Sequence, residues 1–229
     1  MKGSSLKNFT LFFSLIVFTD LVAVQYDLPL VHTLAKPLLI PVLAAMLYNS
    51  AIAGSKKLVL IGLFFSWWGD IFLLLDRSGS FYFIAGLASF LTTHVLYIFY
   101  FLSIKNKAPS LFKKQPIWFL LTLGYGVGLV ILLLPHLGVL KIPVVLYATV
   151  ICSMLLGSLH IYFKTNRPAN RFFILGATLF VLSDSLLAIN KFYQPFPMAG
   201  VGIMLTYCLA QYFIVRGSIT LDSTAIPNQ

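Results

Sequence analysis

The chain has 229 residues, of which 59% are hydrophobic and only 10% are charged, and it contains no glutamate. Because a soluble domain carries about 25% charged residues, this composition excludes an ordinary soluble protein and indicates a polytopic membrane protein. The formal net charge of +10 would suggest nucleic acid binding in a soluble protein, whereas basic loops between membrane spans explain it here. We therefore predict no nucleic acid partner.

Eight apolar segments approach the length of about 20 residues that a membrane span needs. The predicted spans cover residues 9–25, 34–50, 57–76, 81–102, 116–134, 143–163, 171–190 and 198–216. The first span follows Lys2 and Lys7 as in a signal peptide, but no small-residue cleavage site follows it, so we interpret it as a retained helix. The predicted fold class is all-α, with a single transmembrane domain over 1–217 and a polar C-terminal tail over 218–229.

The lysines and arginines indicate how these spans are oriented. The N-terminus, the loops after the second, fourth and sixth spans and the C-terminal end together hold twelve basic residues, whereas the opposite side holds four. Because basic residues collect in cytoplasmic loops, we expect both termini in the cytoplasm.

A weak internal repeat relates the two halves of the chain at an offset of 114 residues. It aligns Gly62 with Gly176 and Asp70 with Asp184 without a gap. Since this offset spans four helices, the halves would be parallel repeats in a 4 + 4 arrangement. Chance similarity between apolar segments is the alternative interpretation.

The third and seventh spans each carry one acid at membrane depth. Asp70 and Asp184 lie 13 residues after Lys57 and Arg171, the basic residues that begin the two predicted helices. Both helices run in the same direction, so both acids are expected about 20 Å from the cytoplasmic end. Two carboxylates that converge there do not both ionise easily, so the pair would supply one acid and one base. Alternatively, each aspartate only bonds polar groups of a neighbouring helix.

Lys36 and His94 are the next candidate site residues. Lys36 precedes Pro37 at the predicted outer end of the second span, where it would extend to the interface, hold one aspartate ionised or bind a phosphate. His94 shares one face of the fourth span with Phe90 and Tyr97. It would contribute to the site or bond a neighbouring helix.

The last span carries Tyr207 and Gln211 on one face, four residues apart. A glutamine in hydrocarbon needs a bonding partner, so Gln211 would orient a carboxylate or a headgroup, or join two helices. Asp20 also lies deep but has no counterpart at the offset of 114, so it ranks below the other two acids, and His32 lies at a loop edge. Scattered histidines, isolated cysteines and the lack of nucleotide, serine-hydrolase or zinc motifs predict neither a metal nor another cofactor.

Several short motifs occur in order in five of the predicted spans. They are Lys36-Pro37, Gly69-Asp70-x-Phe72-Leu73, Gly86-x3-Phe90-x3-His94-x2-Tyr97, Ser183-Asp184 and Tyr207-x3-Gln211. Together they resemble the YhhN-type lysoplasmalogenases, which are eight-helix integral membrane proteins of bacteria and animals. The resemblance covers almost the whole chain. Cys208 stands where a second aromatic residue is expected, a departure that affects no candidate catalytic group.

The resemblance implies hydrolysis of the vinyl ether bond of lysoplasmalogens, with a fatty aldehyde and a glycerophosphoethanolamine or glycerophosphocholine as products. It implies a lysophospholipid substrate that enters from the bilayer, contacts with membrane lipids and a location in the inner membrane of a bacterium. A vinyl ether is cleaved by protonation at carbon and capture of the oxocarbenium ion by water, which needs an acid, a stabilising carboxylate and a base.

On this basis one of Asp70 and Asp184 would be the acid, and the other would be the stabiliser and base. Which residue takes which role is open. His94 and Tyr97 would position water or tune the pair, and Lys36 would face the phosphate. Tyr207 and Gln211 would contact the substrate.

Three other functions fit parts of the sequence. A proton-coupled transporter also carries membrane acids, repeated halves and a buried glutamine, but it would have broken helices near the two acids. A structural or lipid-binding protein would use the aspartates only to join helices. A hydrolase of another lysolipid would keep the acid pair and change the substrate.

Overall fold

The computed structural model describes residues 3–50, 56–76 and 80–223. These residues form helices and contain no strand. Eight of their helices are long and apolar enough to cross a membrane. The predicted all-α class and the predicted number of spans are therefore confirmed.

The chain divides into two compact units, Met1–Tyr97 and Ile98–Gln229. The first contains α1 (Gly3–Gln25), α2 (Pro29–Tyr48), α3 (Lys56–Leu75) and most of α4 (Ser80–Ser103). The second contains the short α5 (Leu111–Lys114), then α6 (Ile117–Leu133), α7 (Lys141–His160), α8 (Arg167–Ala188) and α9 (Ala199–Ser223). Two 3-10 turns separate α6 from α7, and a π-helical turn over Ile189–Tyr193 follows α8. The single domain over 1–217 stays a prediction.

Two helices begin earlier than the apolar runs predict, and this corrects the surroundings of two basic residues. Pro29 begins α2, as its fixed φ and missing N–H favour, so Lys36 lies in the second turn of that helix and not at its end. The Asn166 side chain accepts a hydrogen bond from the backbone nitrogen of Ala169 at 2.8 Å and caps α8. Arg171 therefore lies inside α8 and does not begin it.

A buried lysine joins α2 to α3. Nζ of Lys56 donates to the carbonyl oxygen of Leu47 at 3.1 Å, to the hydroxyl of Ser50 at 2.7 Å and to the Ser50 carbonyl oxygen. Leu47 lies in the last turn of α2 and Ser50 follows it, at the end of the helix where the helix dipole is negative. A cation therefore closes this end of α2 and fixes the start of α3 against it.

Glycines let α3 and α4 approach closely inside the first unit. A Cβ built on Gly69 would lie 2.7 Å from the ring of Phe90, and one built on Gly62 would lie 2.6 Å from the ring of Tyr97. The hydroxyl of Thr93 donates to the carbonyl oxygen of Gly62 at 3.0 Å. These contacts set the register of the two helices that carry Asp70 and His94.

The second unit contains a comparable pair, α8 and α9. A Cβ built on Gly176 would lie 3.0 Å from backbone atoms of α9 on either side of Gln211. At the offset of 114, Gly62 corresponds to Gly176 and Tyr97 to Gln211. The shared packing register is consistent with the predicted repeat, which itself stays a prediction.

Replacing Gly69 by alanine is expected to destabilise the protein by about 1–3 kcal/mol, because the new methyl group must displace the packed ring of Phe90. Thermal unfolding in detergent measures the effect. Gly124→Ala on α6 is the matched control, since a Cβ there meets nothing within 4 Å and alanine favours the helix. Equal losses in the two variants would contradict the glycine contact.

Candidate active site

Asp70 on α3 is buried and lies beside a buried lysine of α2. Its side chain is 2% exposed, and Oδ1 lies 3.9 Å from Nζ of Lys36, whose side chain is 9% exposed. Removing two charges from water costs several kcal/mol per ion, and this cost is offset when opposite charges meet. The structure therefore brings together two of the predicted site residues as an ion pair within the first unit.

A proline and a tryptophan fix α2 against α3 next to this pair. Pro41 has no N–H, so the carbonyl oxygen of Pro37 lacks the usual helical donor. Nε1 of Trp67 donates to that oxygen at 2.9 Å. Trp67 lies one turn before Asp70 and Pro37 follows Lys36, so this hydrogen bond holds the two charged residues at the same level.

Asp20 and His32 form a second pair that the sequence reasoning did not connect. Oδ1 of Asp20 lies 2.8 Å from Nδ1 of His32, which joins α1 to the first turn of α2. Asp20 is fully buried, and its Oδ2 has no hydrogen-bond partner among the described residues. The His32 side chain keeps 25% of its surface exposed. His32 and Lys36 lie four residues apart and therefore share one face of α2.

His94 and Tyr97 lie on α4 in the interior of the first unit, and both are fully buried. The Tyr97 ring covers Gly62 of α3. Thr93 also donates to the carbonyl oxygen of Ser89 at 3.2 Å, so the face of α4 next to His94 contains polar groups. These positions suit residues that orient a polar site, and the roles predicted for them stay predictions.

Asp184 on α8 receives a hydrogen bond from a residue that the sequence reasoning missed. The hydroxyl of Tyr147 on α7 donates to Oδ2 of Asp184 at 2.6 Å. Both side chains line a cavity of about 40 Å³ together with Ser185 and Tyr125, and the Tyr125 hydroxyl donates to the Ser185 hydroxyl at 2.7 Å. A cavity of this volume accommodates about one water molecule.

Tyr207 and Gln211 both lie buried on α9 in the second unit. The Tyr207 ring meets the edge of Phe180 with ring centres 5.7 Å apart. The hydroxyl of Ser183 donates to the carbonyl oxygen of Ile203 at 3.0 Å, which ties the residue before Asp184 to α9. The predicted contacts of Tyr207 and Gln211 with substrate stay predictions, as does the pairing of Asp70 with Asp184.

The missed residues left weak signals in the sequence. Two prolines four residues apart leave a helix carbonyl that needs an outside donor, and Trp67 is such a donor. Tyr147 places a hydroxyl group inside an apolar span, and a buried hydroxyl needs a hydrogen-bond acceptor. The link between Asp20 and His32 could not be found from hydropathy, because it depends on the tight turn between α1 and α2.

Comparison with known proteins gives the following relatives. The model of a family described as the YhhN family matches residues 31–218. Lysoplasmalogenase TMEM86A of Bos taurus is 30% identical over 178 residues, which cover 72% of this chain and 66% of the relative. Lysoplasmalogenase TMEM86B of Homo sapiens is 33% identical over 138 residues, 60% of this chain and 54% of the relative.

The human lysoplasmalogenase TMEM86A is 30% identical over 178 residues. The matches thus span at most 66% of the length of these curated relatives, just under two thirds. No solved structure matches the chain. The residues matched by the family model include every predicted site residue, whereas Asp20 lies outside them.

A double-mutant cycle is expected to show coupling between Lys36 and Asp70. Lys36→Met leaves the buried carboxylate without its cation and should lower the stability more than Lys36→Met does in an Asp70→Asn background. We expect a coupling free energy of about 1 kcal/mol or more, measured from the thermal unfolding of the four proteins in detergent. Additive effects would mean that the ion pair does not stabilise the fold.

Proposed function

Because the chain belongs to the YhhN family, we propose that it is a lysoplasmalogenase-type hydrolase that cleaves a vinyl ether bond with an aspartate pair. The observation that carries this proposal is the family match over residues 31–218, which contains both Asp70 and Asp184. Relatives named lysoplasmalogenases support the reaction class. The proposed products are a fatty aldehyde and a glycerophospho-headgroup.

The partners of the two acids favour different roles in this reaction. A cation close to a carboxylate favours its ionised form, so Lys36 at 3.9 Å suits Asp70 to remain a carboxylate. Asp184 has a neutral hydroxyl partner in Tyr147, which stabilises negative charge less than a cation does. We assign Asp184 as the acid and Asp70 as the stabiliser and base.

The proton balance of the proposed reaction closes with these two groups. Asp184 donates its proton to the vinyl carbon that does not carry oxygen, and the Asp70 carboxylate stabilises the oxocarbenium ion that results. Water adds to this ion and gives its proton to Asp70, which leaves a hemiacetal. As the hemiacetal collapses, its hydroxyl proton passes to Asp184, and Asp70 protonates the departing glycerol oxygen. One water is consumed, and both acids return to their starting forms.

The remaining candidate residues would orient the substrate. Lys36 has three N–H donors, so it can serve Asp70 and a headgroup phosphate together. His94 and Tyr97 would position the water, and Tyr207 and Gln211 would contact the lipid. The substrate would enter from the bilayer, and the protein would lie in a bacterial inner membrane with both termini in the cytoplasm.

The helix geometry does not favour transport as an alternative. A transporter of this kind binds its substrate where helices are interrupted. The described residues of α3 and α8 run as unbroken helices through Asp70 and Asp184, and the π-helical turn begins only at Ile189. A structural role for the acids and hydrolysis of another lysolipid are separated from the proposal by the following experiment.

Purified protein in detergent is expected to release aldehyde from a lysoplasmenylethanolamine, also in the presence of a chelator. Asp70→Asn and Asp184→Asn should each lower kcat/KM by about 100-fold or more, because each removes a proton-transfer group. Asp27→Asn is the matched control, since Asp27 is an exposed carboxylate.

Unchanged activity in folded Asp70→Asn and Asp184→Asn would show that the pair only joins helices. If folded wild-type protein releases no aldehyde but cleaves another lysolipid, the vinyl ether is the wrong substrate.

Tyr147→Phe is expected to lower kcat by about 10-fold with little change in KM, because the variant removes one hydrogen bond that positions Asp184. Tyr125→Phe is the matched control, since that hydroxyl lines the same cavity but donates to Ser185. Steady-state kinetics on the vinyl ether substrate make the comparison. Equal kcat values for Tyr147→Phe and wild type would remove Tyr147 from the site.

A further inference from the structure

His32 has one ring nitrogen committed to a buried acid and the other available. Nδ1 lies 2.8 Å from Oδ1 of Asp20, so the contact with the acid occupies this nitrogen. Nε2 has no hydrogen-bond partner among the described residues, and 25% of the His32 side chain is exposed. Part of the ring is thus accessible to a ligand, while Asp20 fixes the orientation of the ring, as second partners of functional histidines do.

Packing alone does not account for the buried acid. Asp20 is fully buried, and its Oδ2 lacks a partner among the described residues. Burying a carboxylate with only one of its oxygens bonded costs free energy. Apolar side chains of similar volume often replace a buried ion pair without loss of stability, so joining α1 to α2 does not by itself require an acid and an imidazole. Ionisable residues in membrane spans mark functional sites by default.

The position of His32 on α2 relates it to the proposed reaction. His32 lies one turn before Lys36 on the same helix face, about 6 Å along the axis, and Lys36 pairs with Asp70. Three glycerol carbons separate the ether oxygen of a lysolipid from its phosphate, which is comparable to one helical turn. A vinyl ether beside Asp70 would place the phosphate near His32.

We propose that His32, oriented by Asp20, binds the phosphate of a zwitterionic lysophospholipid headgroup through Nε2. This inference rests on the proposed function for the identity of the lipid. Nε2 is the ring nitrogen that the contact with Asp20 leaves available for a phosphate oxygen. This part of the first unit combines two basic side chains, His32 and Lys36, with two acidic ones, Asp20 and Asp70. Such a mixture of both signs suits a zwitterionic headgroup.

Binding of two lipids that the enzyme cannot cleave tests the proposal. The ligands are a 1-O-alkyl-glycerophosphoethanolamine, which carries the phosphate, and a 1-O-alkylglycerol, which lacks it. The full chain in detergent is titrated with each ligand, and intrinsic tryptophan fluorescence is recorded, since Trp67 bonds Pro37, the residue that follows Lys36. His32→Phe and Asp20→Asn should weaken binding of the phospholipid by about 10-fold, the effect of one charge-assisted hydrogen bond. Binding of the alkylglycerol should not change.

Control variants separate this effect from general damage. His136→Phe changes an exposed histidine of the second unit, and Asp27→Asn changes an exposed carboxylate of the same turn region as His32. Both should bind the two ligands like wild type. His32→Gln keeps a donor near the position of Nε2 and should bind the phospholipid better than His32→Phe does. Thermal unfolding confirms that each variant is folded.

Three results would overturn the proposal. Equal weakening for both ligands would show that His32 only supports packing, and unchanged phospholipid binding would show that it does not contact the headgroup. A third arm uses inorganic phosphate alone as a competitor. If His32→Phe abolishes the competition by phosphate but leaves lipid affinity unchanged, the site binds free phosphate and not the headgroup.

Hydrolysis assays keep this inference separate from the proposed function. On a vinyl ether phospholipid, His32→Phe should raise KM by about 10-fold with kcat nearly unchanged, because the lost contact lies away from the bond that is cleaved. Phosphate-dependent binding without any aldehyde release by wild type would contradict only the proposed reaction. Normal aldehyde release with unchanged KM and unchanged lipid binding in His32→Phe would contradict only the headgroup site.

Discussion

A carboxylate inside an apolar span needs a partner, because hydrocarbon offers no water to solvate its charge. Asp20, Asp70 and Asp184 each meet this need through a neighbouring helix: an imidazole on α2, an ammonium on α2 and a phenol on α7. Each partnership ties helices together and gives its acid a distinct electrostatic environment. Under the proposed function, the contacts that stabilise these acids in the fold would also build the reactive site.

These contacts depend on packing that keeps the helices in one register. Around Asp70 the register comes from two features that are unfavourable in isolation. Pro41 removes a helical hydrogen bond, and Trp67 donates instead to the carbonyl oxygen of Pro37 that this leaves without a helical donor. Gly69 weakens helix propensity, and the space that it leaves is filled by Phe90. The missing N–H on α2 and the missing side chain on α3 thus determine which residue packs there and how far along the helix axis it lies.

Hydropathy was sufficient to predict the all-α class and the eight spans. The two deep acids as the centre of the site stay a prediction. Hydropathy and spacing were insufficient to predict which residue partners each acid. Partner choice depends on helix rotation and on where helices begin, and capping groups set these: Pro29 begins α2 early and brings Lys36 inside the helix. The sequence did not indicate that Tyr147 and His32 each bond an acid, because the acids lie on other helices. Sequence spacing predicts which residues share a face of one helix. It does not predict how that helix is rotated about its axis relative to its neighbours.

The predicted repeat at an offset of 114 residues would relate two similar halves whose acids have different partners. It aligns Asp70 with Asp184, but it aligns Lys36 with Val150 and Tyr147 with Thr33. The acids are repeated and their partners are not, so one acid has a cation beside it and the other has a neutral hydroxyl. His32 likewise corresponds to Leu146, and Asp20 to Leu134, so only the first half carries the second charged pair. In the proposed reaction the two carboxyl groups have different roles. The partner positions that the two halves do not share would separate these roles without a change in either helix that bears an acid.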